Sequence, residues 1–235
     1  MKYFTIQPPP SLAEYFRCFW VYEGEASTSE PYIYRGYADG CTELVFHYRG
    51  VYDLLVGDKR EKSFAAGIHA QTRTFSRSII NEDFGIFGCY IYPYAIPRLF
   101  SLPSTDLTDQ MLDFGSVIGA EGRELEERML TAPSIEKSVE ILTAFLERRL
   151  AIDPRGEPRV FSSIEHIIHT RGLANVTDIS SRYFFSHRQF ERKFKEFAGF
   201  SPKMYSRIIR FQAALKEYGS DKSLTDIAHD CGYYD

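Results

Sequence analysis

Asn175-Val-Thr-Asp-Ile-Ser-Ser-Arg-Tyr-Phe-Phe-Ser-His-Arg-Gln-Phe-Glu-Arg-Lys-Phe-Lys-Glu-Phe-Ala-Gly199 is the stretch on which the reading of this chain turns. It predicts two short helices and a tight turn. Asn175 is a good N-cap, and Asp178 follows three residues on, where a carboxylate suits the positive end of a helix dipole. Ser186 opens the second helix, Gly199 closes it, and Pro202 stands just beyond. On a helical wheel Phe190, Phe194 and Phe197 share one narrow stripe. Arg188, Arg192 and Lys195 fall on the opposite side, with Glu191 beside them. The aromatic stripe would bind the helix to its own domain and leave the cationic face open.

A short capped helix, a tight turn and a second helix with a cationic outer face is the helix-turn-helix design. The bland reading of three such cations is a solvated helix face. The surrounding charge argues against it. Residues 182–216 carry nine Lys and Arg against two Asp and Glu. The whole chain has a net charge of -4, but residues 1–154 hold 15 basic and 22 acidic side chains, and residues 155–235 hold 13 and 10. An acidic front half followed by a concentrated basic stretch predicts a polyanion-binding module attached to something else. Lys203, Arg207, Arg210 and Lys216 lie on the next predicted helix, where phosphate contact and surface solubility are equally good readings.

The same pattern recurs 48 residues on. Thr177-Asp-Ile179 is identical to Thr225-Asp-Ile227, Asn175 and Ser223 are matching N-caps, and Ser180 and Ala228 are both small, as a close helix crossing requires. In this second copy the counterpart of the outward helix would begin at Tyr234, one residue before the sequence stops. The expectation is a chain truncated relative to its natural parent, with weakened DNA binding.

These residues resemble the AraC/XylS family of bacterial transcription activators. The resemblance rests on Ser186-His-Arg-Gln-Phe-Glu-Arg-Lys-Phe194, Gly199-Phe-Ser-Pro-Lys-Met-Tyr205, Arg210-Phe-Gln-Ala-Ala-Leu215 and Ser223-Leu-Thr-Asp-Ile-Ala-His-Asp-Cys-Gly-Tyr-Tyr-Asp235. It implies two helix-turn-helix units joined by a long helix, with base readout from Arg188, Glu191 and Arg192, and from Gln189 as a further candidate. Arg would pair with guanine and Glu would accept from cytosine. Ser186 would anchor the DNA backbone near the helix N-terminus, and Lys195 would contribute to the same DNA-binding face. Phe184 departs from the family, which favours a small residue at the turn; the second copy has Gly232 there. A bulky residue at positive φ is strained, so the expectation is a shifted turn, or a next residue that absorbs the strain.

The front third is rich in aromatics and short apolar runs. Glu43–Tyr48, Val51–Val56 and Phe84–Tyr92 read as strands between turn signals, which suggests a sandwich or small barrel. Tyr37–Phe46 and Gly88–Pro93 resemble the cupin-like sensor or dimerisation domains of some family members. After Pro103 the pattern turns helical: Ile135, Val139, Leu142, Leu146 and Leu150 recur at helical spacing behind the cap Ser134. Residues 151–158 break regular structure.

The expected fold is α+β and multidomain. Residues 1–103 form a β-rich cupin-like domain, 104–152 a helical connector and 153–158 a linker. Residues 159–235 form an all-α domain with the first helix-turn-helix at 175–199, a linker helix at 202–218 and the start of the second unit at 223–235.

Arg35, Tyr37, Glu43 and His47 flank predicted strands and are the candidates for small-molecule contact. His47 and His69 are the only histidines of the front half, with no H-x-H pair, so no metal, cofactor or catalytic residue is expected. No apolar run reaches the ~20 residues of a membrane span, and Met1–Ile6 leads into prolines rather than an apolar signal core. Cys18, Cys41, Cys89 and Cys231 lack C-x-x-C spacing and read as reduced cytoplasmic thiols. The resemblance implies a cytoplasmic bacterial transcription regulator. Its partners would be double-stranded promoter DNA, a small-molecule effector bound by the front domain, and a second copy of itself. The alternatives are a small-molecule-binding or metal-dependent cupin-type enzyme with a helical appendage, and an adaptor whose basic helix meets an acidic protein.

Overall fold

The computed structural model describes residues 1–57, 59–152 and 156–234. Its first sheet has the strand order β1-β2-β9-β4-β7-β10, built from Lys2–Ile6, Phe16–Gly24, Phe84–Ile91, Thr42–Arg49, Ala66–His69 and Met111–Asp113, all antiparallel. A second sheet has the order β3-β8-β5-β6, built from Tyr32–Gly36, Ser76–Ile80, Asp53–Val56 and Lys59–Lys62. β4, β5 and β9 occupy the three runs that the sequence marks as strands. The first sheet takes its sixth strand from beyond residue 103, because Leu112 pairs with Ile68.

Register explains how one sheet serves two purposes. Side chains alternate between faces, so residues paired across strands share a face. Phe19, Cys89, Leu44 and Ile68 form one such row, and Val21, Phe87, Phe46 and Ala66 form the next but one. All eight are buried in the main core. Against them pack α1 (Ile96–Phe100), α2 (Ser104–Leu107), α3 (Phe114–Leu130) and α4 (Ile135–Ile152), through Leu99, Leu107, Phe114 and Leu142. Ser134 accepts from the Lys137 amide at 3.3 Å, the cap the sequence predicts for α4. The opposite face carries the row Cys18, Tyr90, Glu43, His69 and Met111, and it looks across a cavity to the second sheet.

The predicted linker at 153–158 lies partly outside the described residues, since 153–155 are not described. The C-terminal part follows with α5 (Pro158–His169), α6 (Val176–Arg182), α7 (His187–Ala198), α8 (Pro202–Glu217) and α9 (Leu224–Asp230). Its core joins Val160, Ile164, Ile179, Phe190, Phe194, Phe197 and Tyr205, so the Phe stripe faces inward as the wheel predicts. Ala38 and Tyr94 of the β-rich part belong to the same cluster. Among the described residues no helix is long and apolar enough to cross a membrane. All four cysteines are free and buried.

Candidate nucleic-acid interface and the cavity of the β-rich domain

The interface starts from the cap of α6. Asn175 Oδ1 accepts from the Thr177 amide at 2.8 Å. Ile179 and Ser180 are buried, so the small residue sits where the helix meets its neighbours. The turn then closes through two backbone bonds, from Phe184 N–H to the Ser181 carbonyl at 3.1 Å and from Phe185 N–H to the Ser180 carbonyl at 2.9 Å. Phe184 itself takes the left-handed conformation, with φ of 58°. This overturns the expectation of a shifted turn or a next residue absorbing the strain. The side chain is 84% exposed, so its Cβ finds room in solvent and only the backbone penalty remains.

α7 opens with a capping box. The Gln189 amide donates to Ser186 Oγ, and Gln189 Oε1 accepts from the Ser186 N–H at 3.2 Å and its hydroxyl at 3.0 Å. The side-chain oxygen of Gln189 is thereby committed to the helix cap, and so is the hydroxyl of Ser186. Arg188, Arg192 and Lys195 are exposed on the outer face, with Glu191 half-buried beside them. Lys193 belongs elsewhere: it pairs with Glu157 at 2.8 Å and Glu196 at 3.8 Å. The outer face therefore presents three cations, and none of them has an ion pair among the described residues.

The second copy repeats this geometry. Ser223 Oγ accepts from the Asp226 amide at 3.1 Å. Gly232 N–H donates to the His229 carbonyl and Tyr233 N–H to the Ala228 carbonyl, both at 2.9 Å, each bond 48 residues on from its counterpart. Gly232 has φ of 74°. An arginine clasps each turn, which the sequence reading missed. Arg159 Nη1 of α5 donates to the Phe184 carbonyl at 3.4 Å, and its guanidinium lies 4.6 Å from the Phe185 ring. Arg210 Nη1 of α8 donates to the Gly232 carbonyl at 3.4 Å and lies 5.7 Å from the Tyr233 ring. Arg210, one of the candidates for phosphate contact, thus has a structural partner. An aromatic residue directly after the turn position in each copy was the available signal.

The cavity between the two sheets has a volume of about 530 Å³. Of the four proposed contact residues, Arg35, Tyr37 and Glu43 line it and His47 does not. His47 is buried and its ring packs 4.5 Å from that of Tyr52. Burial lowers its pKa to about 4, so it is neutral near pH 7. His69 lines the cavity in its place, hydrogen-bonded by the Tyr52 hydroxyl at 3.0 Å, and burial lowers it to about 3. Among the described residues no three His, Cys, Asp or Glu side chains come together to hold a metal ion. Trp20, Tyr22, Tyr34, Tyr52 and Tyr90 also form the walls, and the sequence reading named none of them.

Two family models match the chain: one described as a domain of unknown function (DUF6597) over residues 4–113, the other described as a helix-turn-helix domain over residues 179–235. No curated protein matches it. Among solved structures it is similar to ToxT from Vibrio cholerae, at 14% identity, covering 94% of this chain and 90% of that one with a TM-score of 0.47. It is also similar to wild-type ToxT from Vibrio cholerae strain SCE256 with an unsaturated fatty acid bound, at 11% identity, 92% and 86% coverage and a TM-score of 0.46. A third is the AraC-like transcriptional activator CuxR, at 11% identity, 95% and 89% coverage and a TM-score of 0.33. Residues 179–235 thus carry a helix-turn-helix domain.

The β-rich domain and the first helix-turn-helix share buried hydrogen bonds. Gln71 accepts from Thr42 Oγ1 at 2.7 Å and donates to the Ala198 carbonyl at 2.8 Å, at the C-terminus of α7. Ser104 donates to the Phe197 carbonyl at 2.8 Å. These bonds serve carbonyls that a helix end leaves without intrahelical partners. α8 touches the same domain through Tyr205, whose hydroxyl donates to the Gly40 carbonyl at 3.2 Å, and through Gln212, which donates to the Ala38 carbonyl at 2.7 Å. The Tyr37 and Phe211 rings meet edge to face at 6.1 Å. Gln212 and Leu215 complete the cavity wall, and Gln71 lines it as well.

Proposed function

We propose that this chain is an AraC-type, DNA-binding transcription regulator that reads promoter DNA with the outer face of α7 and is controlled by a small molecule held in the β-domain cavity. Arg188 and Arg192 pair with bases, Glu191 accepts from a base donor, and Lys195 meets phosphate. Ser186 and Gln189 fix the start of the helix rather than read bases, because the side chain of each engages the other's backbone N–H. The observation that carries effector control is the shared wall: side chains of α8 and the α7-capping Gln71 line the same cavity. A ligand that moves either residue changes how the reading helix is presented, provided it prefers one arrangement over the other. On this reading the protein works in the bacterial cytoplasm, pairs two copies on double-stranded DNA and performs no reaction of its own. The boundaries at 103, 152 and 158 stay with this reading as the division of labour between sensing, connecting and DNA-binding parts.

Trp20 is the only tryptophan and lines the cavity, so its emission reports occupancy directly. The test is a small-molecule screen by Trp20 quenching, followed by promoter mobility shifts at saturating ligand. A ligand that quenches Trp20 and changes promoter affinity at least fivefold is the expected result. Saturable quenching with unchanged promoter affinity would overturn effector control.

A further inference from the structure

The cavity has aromatic walls, and its acidic side chains, Asp39 and Glu43, lie close to one another. Glu43 sits in the middle of the cross-strand row, between Tyr90 on β9 and His69 on β7. Its carboxylate has no hydrogen bond or ion pair among the described residues, although it lines the cavity. Glu43 is half-buried, and ionising a carboxyl there without a partner is costly.

The other charges inside are already matched. Arg17 lies 3.7 Å from Asp39, 3.9 Å from the Cys41 sulfur and 4.1 Å from the centre of the Tyr90 ring. Arg17 and Asp39 offset one another, which leaves Glu43 as the acidic group without a matched cation. His69 brings no positive charge to it, since burial holds that ring neutral. Arg35 also lines the cavity, but from the exposed strand β3, where its charge stays in contact with water. The cation beside Glu43, Arg17, is matched by Asp39, and Arg35 lies on the exposed side, which disfavours an anionic head group at Glu43.

The aromatic walls point the same way. The Trp20 and Tyr90 rings lie 6.0 Å apart, those of Tyr22 and Tyr34 6.2 Å, and those of Tyr52 and His69 5.9 Å. The faces of such rings carry negative potential and attract cations, most strongly where water is excluded. The volume of about 530 Å³ suits a molecule of drug or metabolite size.

We infer that the cavity takes an organic cation, an amine or quaternary ammonium on an apolar body, with the cationic head at Glu43 inside the aromatic walls. This rests on the reading of the cavity as an effector site and names the chemistry of the effector.

Burial, with the Asp39 carboxylate next, pushes the Glu43 carboxyl up to about 8. The groups facing it are Tyr3 on β1, Arg17 on β2, Tyr34 on β3, Asp39 before β4, Tyr52 after it, His69 on β7 and Tyr90 on β9. The empty site is thus largely protonated at pH 7. A cation must displace that proton, so its affinity rises with pH through about 8.

The test uses the full chain and four probes on one skeleton: 2-phenylethylamine, its trimethylammonium analogue, 2-phenylethanol and 3-phenylpropionate. Binding is read by Trp20 quenching and by calorimetry. The two cations should bind at least tenfold tighter than the alcohol or the acid. The quaternary probe, which does not itself titrate, should tighten with pH. Glu43→Gln should cut cation affinity at least tenfold while leaving the alcohol within threefold. Glu43→Asp, which keeps the charge, should recover part of the loss and controls for a folding defect. Equal or tighter binding of the alcohol or acid, or no saturable quenching by either cation at millimolar concentration, would overturn the inference. If the acid or alcohol both binds and shifts promoter affinity, the effector reading stands and the cation inference falls. If a cation binds but promoter affinity does not move, the reverse holds.

Discussion

The two helix-turn-helix copies share their caps, their turn hydrogen bonds and their arginine clasps, yet one turns on Phe184 and the other on Gly232. The comparison separates what a turn's hydrogen bonds impose from what its surroundings impose. Both residues are left-handed, at φ of 58° and 74°, because the paired bonds back to the preceding helix leave no other conformation. Phe184 survives there because its side chain points to solvent. Gly232 is tighter: a Cβ on it would lie 2.6 Å from Cδ2 of the half-exposed Leu173, which would have to turn aside. The copies also differ in what holds them. The first is bonded to the β-rich domain through Gln71 and Ser104, whereas the small core around α9 joins Ile227 and Cys231 to Ala213 of α8.

The largest expected effect comes from making the second turn like the first. Gly232→Phe should destabilise by about 2–5 kcal/mol, the left-handed penalty plus overpacking against Leu173, in denaturant unfolding. The reciprocal Phe184→Gly should be neutral or stabilising by up to about 1 kcal/mol, since strain relief outweighs the entropy of glycine. Equal costs for the two would dissolve the distinction drawn between them. Next, Gln71→Ala leaves the Ala198 carbonyl without its partner and should cost about 1–3 kcal/mol. Faster hydrogen exchange at the C-terminal end of α7, with α9 unchanged, would localise it. Smallest are the clasps. Arg210→Ala should cost about 1–2 kcal/mol by melting, and Arg159→Ala less, because Arg159 is exposed and Arg210 half-buried.

Much of the reading unit was legible from sequence because its signals are local. Asn175, Ser186 and Ser223 cap the helices they precede, and the Phe190, Phe194, Phe197 stripe is buried as its spacing requires. A conformational penalty at Phe184 could be foreseen, but its tolerance depends on exposure, which is a tertiary property. The cavity was hardly legible. Glu43 meets Tyr90 and His69 only through strand register, and Gln212 reaches the wall only because α8 docks on the loop at Ala38. His47 was named because it flanks a strand. It shares the parity of Glu43, yet it lies two rows away and Tyr52 walls it off.

The most direct test of the central claim, that the outer face of α7 reads DNA, is a matched removal of charge. Arg188→Ala with Arg192→Ala should abolish site-specific promoter binding, at about 1–3 kcal/mol for each lost base pairing. The control, Arg123→Ala with Arg128→Ala, both exposed on α3, removes the same net charge and should leave specific affinity within about threefold, since its contribution is non-specific only. Equal losses from the two pairs, or intact site-specific affinity after loss of Arg188 and Arg192, would contradict the account.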